Sequence, residues 1–224
     1  MYSSSHFLLF CLIALCSCST SNVYDASLTL PGKPLASRQM QVQAAGGFLP
    51  QTRPAEAQQA LSVGASGTVR FAPASWLTLQ GRYWIADAAF DEGVATGFST
   101  SAHIRLDDRE EGWRFALVPT FGWTVGGSKN NYAIEGNGVS LILASWLPSF
   151  DAMKPYVGIG PAVGWNDMDD NKNGWGGIVN VGTHYMITNE LSLLAELTTV
   201  AQVNRYDGIA HLLFSPIVGV SYVW

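Results

Sequence analysis

Ser101 and His103 stand two residues apart, so on a β-strand they share one face. With a carboxylate such as Glu196 they would make the nucleophile, base and orienting acid of a hydrolase. That chemistry would suit a lipid-modifying enzyme, but nothing in the sequence fixes their geometry. His103, His184 and His211 match no metal-ligand spacing, and a lone interior histidine is more often simply hydrogen-bonded. The tract from Asp167 to Gly174 faintly resembles a calcium loop. It lacks the closing glutamate at the required spacing and reads as an acidic, solvated loop. There is no glycine-rich phosphate loop and no zinc-protease motif, so neither metal nor cofactor is expected. Arg82, Arg105, Arg114 and Glu196 form a further set. Inside a barrel they would line an ion-selective lumen or, more ordinarily, a static network that fills it, with Glu196 expected to pair with at least one of the arginines, Arg82 first.

All of these residues need strands to hold them. From about residue 38 onward, stretches of ten or so residues alternate in polarity and are then broken by polar punctuation. The segment Trp113 to Val125 is clearest. Trp113, Phe115, Leu117, Phe121, Trp123 and Val125 lie on one face, and Arg114, Ala116, Val118, Thr120 and Thr124 on the other. Trp113 and Trp123 would lie about 33 Å apart along a strand. At a tilt of about 40° that spans roughly 25 Å, the height of a barrel's apolar band.

The same pattern predicts strands at 38–48, 59–71, 76–86, 97–106, 113–125, 137–147, 155–165, 175–187, 191–203 and 209–224. The strand at 137–147 fits worst, because Ile142 and Trp146 spoil its polar face. Connections are expected to alternate between short turns and longer loops. Of the charged side chains, only Arg38, Arg70, Arg82, Arg105, Arg114 and Glu196 fall inside these strands. Pro119, Pro161 and Pro216 each remove a ladder donor, and bulges at those points would accommodate them.

Composition agrees. Charged residues are 13% of the chain, against about 25% in a soluble protein. A wall facing lipid needs no charge. The net charge of −5 leaves no basic footprint for nucleic acid. The cysteines are Cys11, Cys16 and Cys18, so no disulfide framework is available to the body of the chain.

Phe7 to Cys16 is an unbroken apolar run, the length of a signal-peptide core and too short to span a bilayer as a helix. Residues 1–17 are therefore expected to be a signal peptide, although the first six carry no Lys or Arg. Leu15-Cys16-Ser17-Cys18 resembles a lipoprotein signal, which implies acylation of Cys18; a plain secretory leader is the alternative. Residues 18–37, with Pro31, Gly32 and Pro34, then read as a flexible lipidated tether in the periplasm.

The final strand ends in Val218, Val220, Tyr222 and Trp224 on one face. Val220, Tyr222 and Trp224 resemble the C-terminal assembly signal of bacterial outer-membrane β-barrels, and Thr188 to Leu193 resembles one of their short turns. The resemblance covers 38–224 and extends to small OmpA-like barrel domains. It implies an all-β, antiparallel, up-and-down transmembrane barrel of about ten strands in the bacterial outer membrane. Outer-membrane lipids and the barrel-assembly machinery are its implied partners. A soluble lipocalin-like barrel, apolar inside, is the rival fold; the low charge and terminal aromatic argue against it. The expected role is non-enzymatic, structural or surface-interacting. A narrow channel for small solutes and a lipid-modifying enzyme are the alternatives.

Overall fold

The structure is a computed structural model and describes residues 28–53, 58–87, 93–107, 113–128, 133–165, 174–204 and 210–224. Ten antiparallel strands close into a barrel in sequence order, with the last paired to the first. They are β1 (Met40–Arg53), β2 (Gln58–Ala74), β3 (Leu77–Asp87), β4 (Gly93–Arg105) and β5 (Arg114–Ser128). The second half comprises β6 (Ala133–Trp146), β7 (Met153–Trp165), β8 (Gly174–Met186), β9 (Leu191–Asn204) and β10 (Ala210–Val223). β1 begins and β10 finishes at the same end, called the near end below; there Met40 and Trp224 exchange backbone hydrogen bonds of 3.1 and 3.0 Å.

Alternation sets which way each side chain points. Along β3 exposed and buried positions alternate, with Leu79, Tyr83 and Ile85 outside and Thr78, Gln80, Arg82 and Trp84 inside. Along β5 and at Trp113 just before it, Trp113, Phe115, Phe121 and Trp123 face outward, while Ala116 and Val118 are buried and Arg114 follows the inward parity. Outer aromatics touch one another: Phe98 and Trp123 have ring centroids 4.9 Å apart. The interior instead holds Gln41, Gln43, Arg70, Asn180, His184 and Glu196, all buried. This polarity is the reverse of a lipocalin-like barrel, so the soluble alternative does not hold.

Several details differ from the sequence reading. Strands run further, so Arg53, Asp87, Glu135 and Lys154 also lie in them, near their ends, and Arg38 lies outside. The expected contrast in loop length is not clean. The near-end link at 106–113 is as long as the far-end link at 166–173. The three prolines do not produce bulges. Pairing lapses opposite Pro119 and Pro161 and resumes in the same register. The register shift among the described strands lies between Phe71 and Ala74, beside Pro73.

The largest difference concerns the segment before β1. Sequence composition assigns 18–37 to a flexible tether. Leu28, Thr29, Leu30 and Leu35 are instead buried, at 3% exposure or less. They enter the barrel from the near end. For 28–35 the tether reading does not hold: proline and glycine mark a loop there, but the intervening leucines carry apolar area that the barrel buries. Residues 1–27 lie outside the described residues, as does all of the calcium-like tract Asp167–Gly174 except its last residue.

Candidate functional site in the barrel lumen

The lumen is built around this inserted segment. Glu196 points inward from the middle of β9, opposite Gly182 of β8 and Ile217 of β10. Its Oε1 accepts from the Leu28 N–H at 3.0 Å and the Thr198 hydroxyl at 2.9 Å. Its Oε2 accepts from the Thr29 N–H at 2.6 Å and the Tyr156 hydroxyl at 2.5 Å. A carboxylate offers about four acceptor positions, so it is saturated. Thr29 has a positive φ of 39°, a conformation that β-branched residues avoid. Such a bend turns successive N–H groups to one side, the way a backbone cradles an anion.

Arg70 approaches Thr29 from β2. Its Nη2 donates to Thr29 Oγ1 at 3.1 Å, and its remaining bonds go to Gln41, Gln43 and Gln80. Thr29 thus stands between Arg70 and Glu196. Nearer the rim, His184 Nε2 lies 2.6 Å from the Leu30 carbonyl and must donate, since a carbonyl only accepts. Its Nδ1 is 2.8 Å from Ser192 Oγ, which fixes the ring. Trp146 Nε1 donates to the Pro31 carbonyl at 2.8 Å.

Apolar contacts complete the seat. Leu28 and Leu30 pack with Val118, Ile142, Trp146, Tyr156, Ile178 and Leu194 in one buried cluster. Two glycines make room. A Cβ on Gly158 would stand 2.7 Å from Leu28 and 2.9 Å from Ile142, and one on Gly32 would stand 2.9 Å from His184 Cβ. Full burial of each leucine is worth about 1.5–3 kcal/mol.

The predicted network does not assemble around Glu196. Arg82 lies four strands away around the barrel and donates to Ser66 at 3.0 Å. Arg105 sits at the near rim beside Asp107, 3.8 Å away, and bonds the Ser75 carbonyl. Arg114 is half-buried at the same rim. Two N–H groups of the inserted segment and the hydroxyls of Tyr156 and Thr198 saturate Glu196, so it takes no guanidinium. The Ser101 hydroxyl and His103 Nε2 are 3.4 Å apart, but His103 Nδ1 has no hydrogen-bond partner and Glu196 is fully engaged elsewhere. No catalytic triad forms from these three. The side chain of His211 lies outside the described residues.

Sequence reading missed Arg70, Tyr156, Trp146, Ile142 and His184 as a set. A signal existed. Ile142 and Trp146 were the residues that spoiled the polar face of β6, and they are the ones that touch the inserted chain.

No family model matches this chain, and no curated protein does. Solved structures do. They are bacterial outer-membrane barrels. A bacterial polysaccharide outer membrane secretin is 6% identical, with a TM-score of 0.49 over 84% of this chain and 98% of that one. The outer membrane protease OmpT from Escherichia coli is 9% identical, with a TM-score of 0.45 over 84% and 94%. The N-terminal β-barrel domain of Pseudomonas aeruginosa OprF is 13% identical, with a TM-score of 0.37 over 85% and 100%. At these identities the likeness concerns shape and says nothing of activity.

Proposed function

We propose that this chain is an outer-membrane barrel closed by its own leading segment, with a structural or surface-interaction role and no permanent through-path. One observation carries the reading: residues 28–32 and Leu35 are buried inside the barrel, and the segment is held there by Glu196, Arg70, His184 and Trp146. The outward apolar wall and the closed strand order suit a bilayer, where an open sheet is not tolerated. Both described strand termini would face the periplasm, as in barrels with an even strand count. Acylation of Cys18 belongs to the same proposal. Labelling by a tagged fatty acid that persists in Cys18→Ser would remove it.

Planar-bilayer recording tests the closed lumen. The wild-type protein is expected to carry almost no steady current, and a variant lacking residues 28–35 to conduct. Equal steady currents from both would support the narrow-channel alternative instead.

A further inference from the structure

We propose that the seam between β1 and β10 is a lateral exit, through which small uncharged apolar solutes pass between the lumen above the inserted segment and the surrounding lipid. Pairing across this seam runs from Gln41–Val223 to Gly47–Ile217 and, among the described residues, stops there. Neither strand ends at that point. β1 stays paired to β2 as far as Arg53–Gln58, and β10 stays paired to β9 from Ala210–Val203. The gap therefore belongs to the seam and is not fraying of the strands.

The sequence explains why the ladder stops. Pro50 and Pro216 lie in the unpaired stretch, and neither has an N–H to give. At the last step a side chain substitutes for the backbone, with Ser215 Oγ donating to the Phe48 carbonyl at 2.5 Å. Unsatisfied backbone is costly in hydrocarbon, so this is where the wall is held least firmly.

Next to the break, a cleft is lined by Ala45, Gly47, Ser66, Arg82, Trp84 and Ile217. Gly47 brings the two strands close without a side chain between them. On the lumenal side Trp84 packs with Ala86 and Ala95 in an apolar cluster separate from the one that seats Leu28 and Leu30. Trp84 belongs to both the cluster and the cleft, so an apolar solute in the lumen would reach the seam along its ring. The inserted segment blocks the near end, which leaves the sideways route. The cleft is narrow when the seam is closed, so passage requires the strands to part. This inference rests on the closed lumen proposed above.

Phe48 and Pro216 would face each other if the register continued one step, and both point outward. The pair Phe48→Cys with Pro216→Cys can therefore lock the seam. The probe is N-phenyl-1-naphthylamine, which fluoresces on entering lipid, added to intact cells with and without the protein. Cells making the wild-type chain should take up dye several-fold faster than cells lacking it. Oxidising the cysteine pair should return uptake to background, and reductant should restore it. Slow uptake in both redox states also supports the seam, provided heat-modifiable migration shows a folded barrel, because Pro216→Cys restores a ladder donor. Wild-type uptake at background, or uptake by the folded pair at the wild-type rate in both states, overturns the proposal. An ionic current through the wild-type protein would overturn the closed lumen, while the seam is judged on the crosslink alone.

Discussion

The carboxylate of Glu196 accepts the backbone N–H of Thr29 at 2.6 Å, across 167 residues of sequence. It is the centre of the attachment, because the same carboxylate also holds the Leu28 N–H. Glu196→Gln keeps the size and removes the charge. Whichever way the amide is turned, its NH₂ faces one backbone N–H, of Leu28 or Thr29, that can only donate. Hydrogen bonds to a charged group contribute about 1.5–3 kcal/mol each. In a Leu30→Cys background, maleimide labelling should accelerate at least tenfold when Glu196→Gln is added. Unchanged protection would mean that the apolar cluster alone retains the segment.

Arg70 satisfies four acceptors from one planar group, three on strands and one on Thr29. Lysine has three donors on a flexible stem and cannot reproduce that fork. Arg70→Lys should therefore lower stability to urea in liposomes by about 1–3 kcal/mol. Combined with Thr29→Val, the loss should be less than the sum of the single losses, since both remove one shared bond. Strict additivity would show that the Arg70–Thr29 contact carries no energy.

The tryptophans divide by face. Trp113 and Trp123 are exposed on the outer wall, whereas Trp84 and Trp146 are buried inside. In single-tryptophan variants, brominated lipids should quench the first two strongly and the second two weakly. Strong quenching of Trp146 would place it on the lipid side and dismantle the seat for Pro31.

Trp224 closes the barrel as well as ending it. It shares a reciprocal hydrogen-bonded pair with Met40, and its ring stacks with Tyr222 at 6.0 Å. Its deletion removes the last rung between β10 and β1. Less folded, heat-modifiable protein is expected in the outer membrane. Assembly at the wild-type level would argue against a closing role for this residue.

The barrel was legible because its rule is local. Side chains alternate, and a face bearing Trp113, Phe115 and Phe121 against one bearing Arg114 and Thr120 needs no long-range knowledge. Ten strands follow from repeating that reading. The lumen was legible only in part. Glu196 was placed inward correctly, yet its partner came from 28–29, a stretch without periodicity that is far away in sequence. Arginine was the expected partner because charge attracts charge. The observed donors are the uncharged hydroxyls of Tyr156 and Thr198 and two backbone N–H groups, and the latter appear in no side-chain inventory. Ile142 and Trp146 carried the missing information, but as an irregularity in β6 rather than as a pattern.

Gly158 offers the sharpest separation of segment from barrel. It sits on β7 opposite Asn180 and faces inward. A Cβ there would stand 2.7 Å from Leu28 and 2.9 Å from Ile142, inside the range that real contacts avoid. The ladder itself does not need the glycine, since valine is well suited to strands. Gly158→Val should leave heat-modifiable migration intact and displace the inserted leucines. Protected Leu30→Cys would then label quickly, and a bilayer current would appear. Gly67 supplies the control, because a Cβ there meets nothing within 4 Å. Gly67→Val should leave both readouts at wild-type levels. If Gly158→Val also leaves Leu30→Cys protected, Leu28 does not occupy the position over Gly158, and the segment is seated elsewhere.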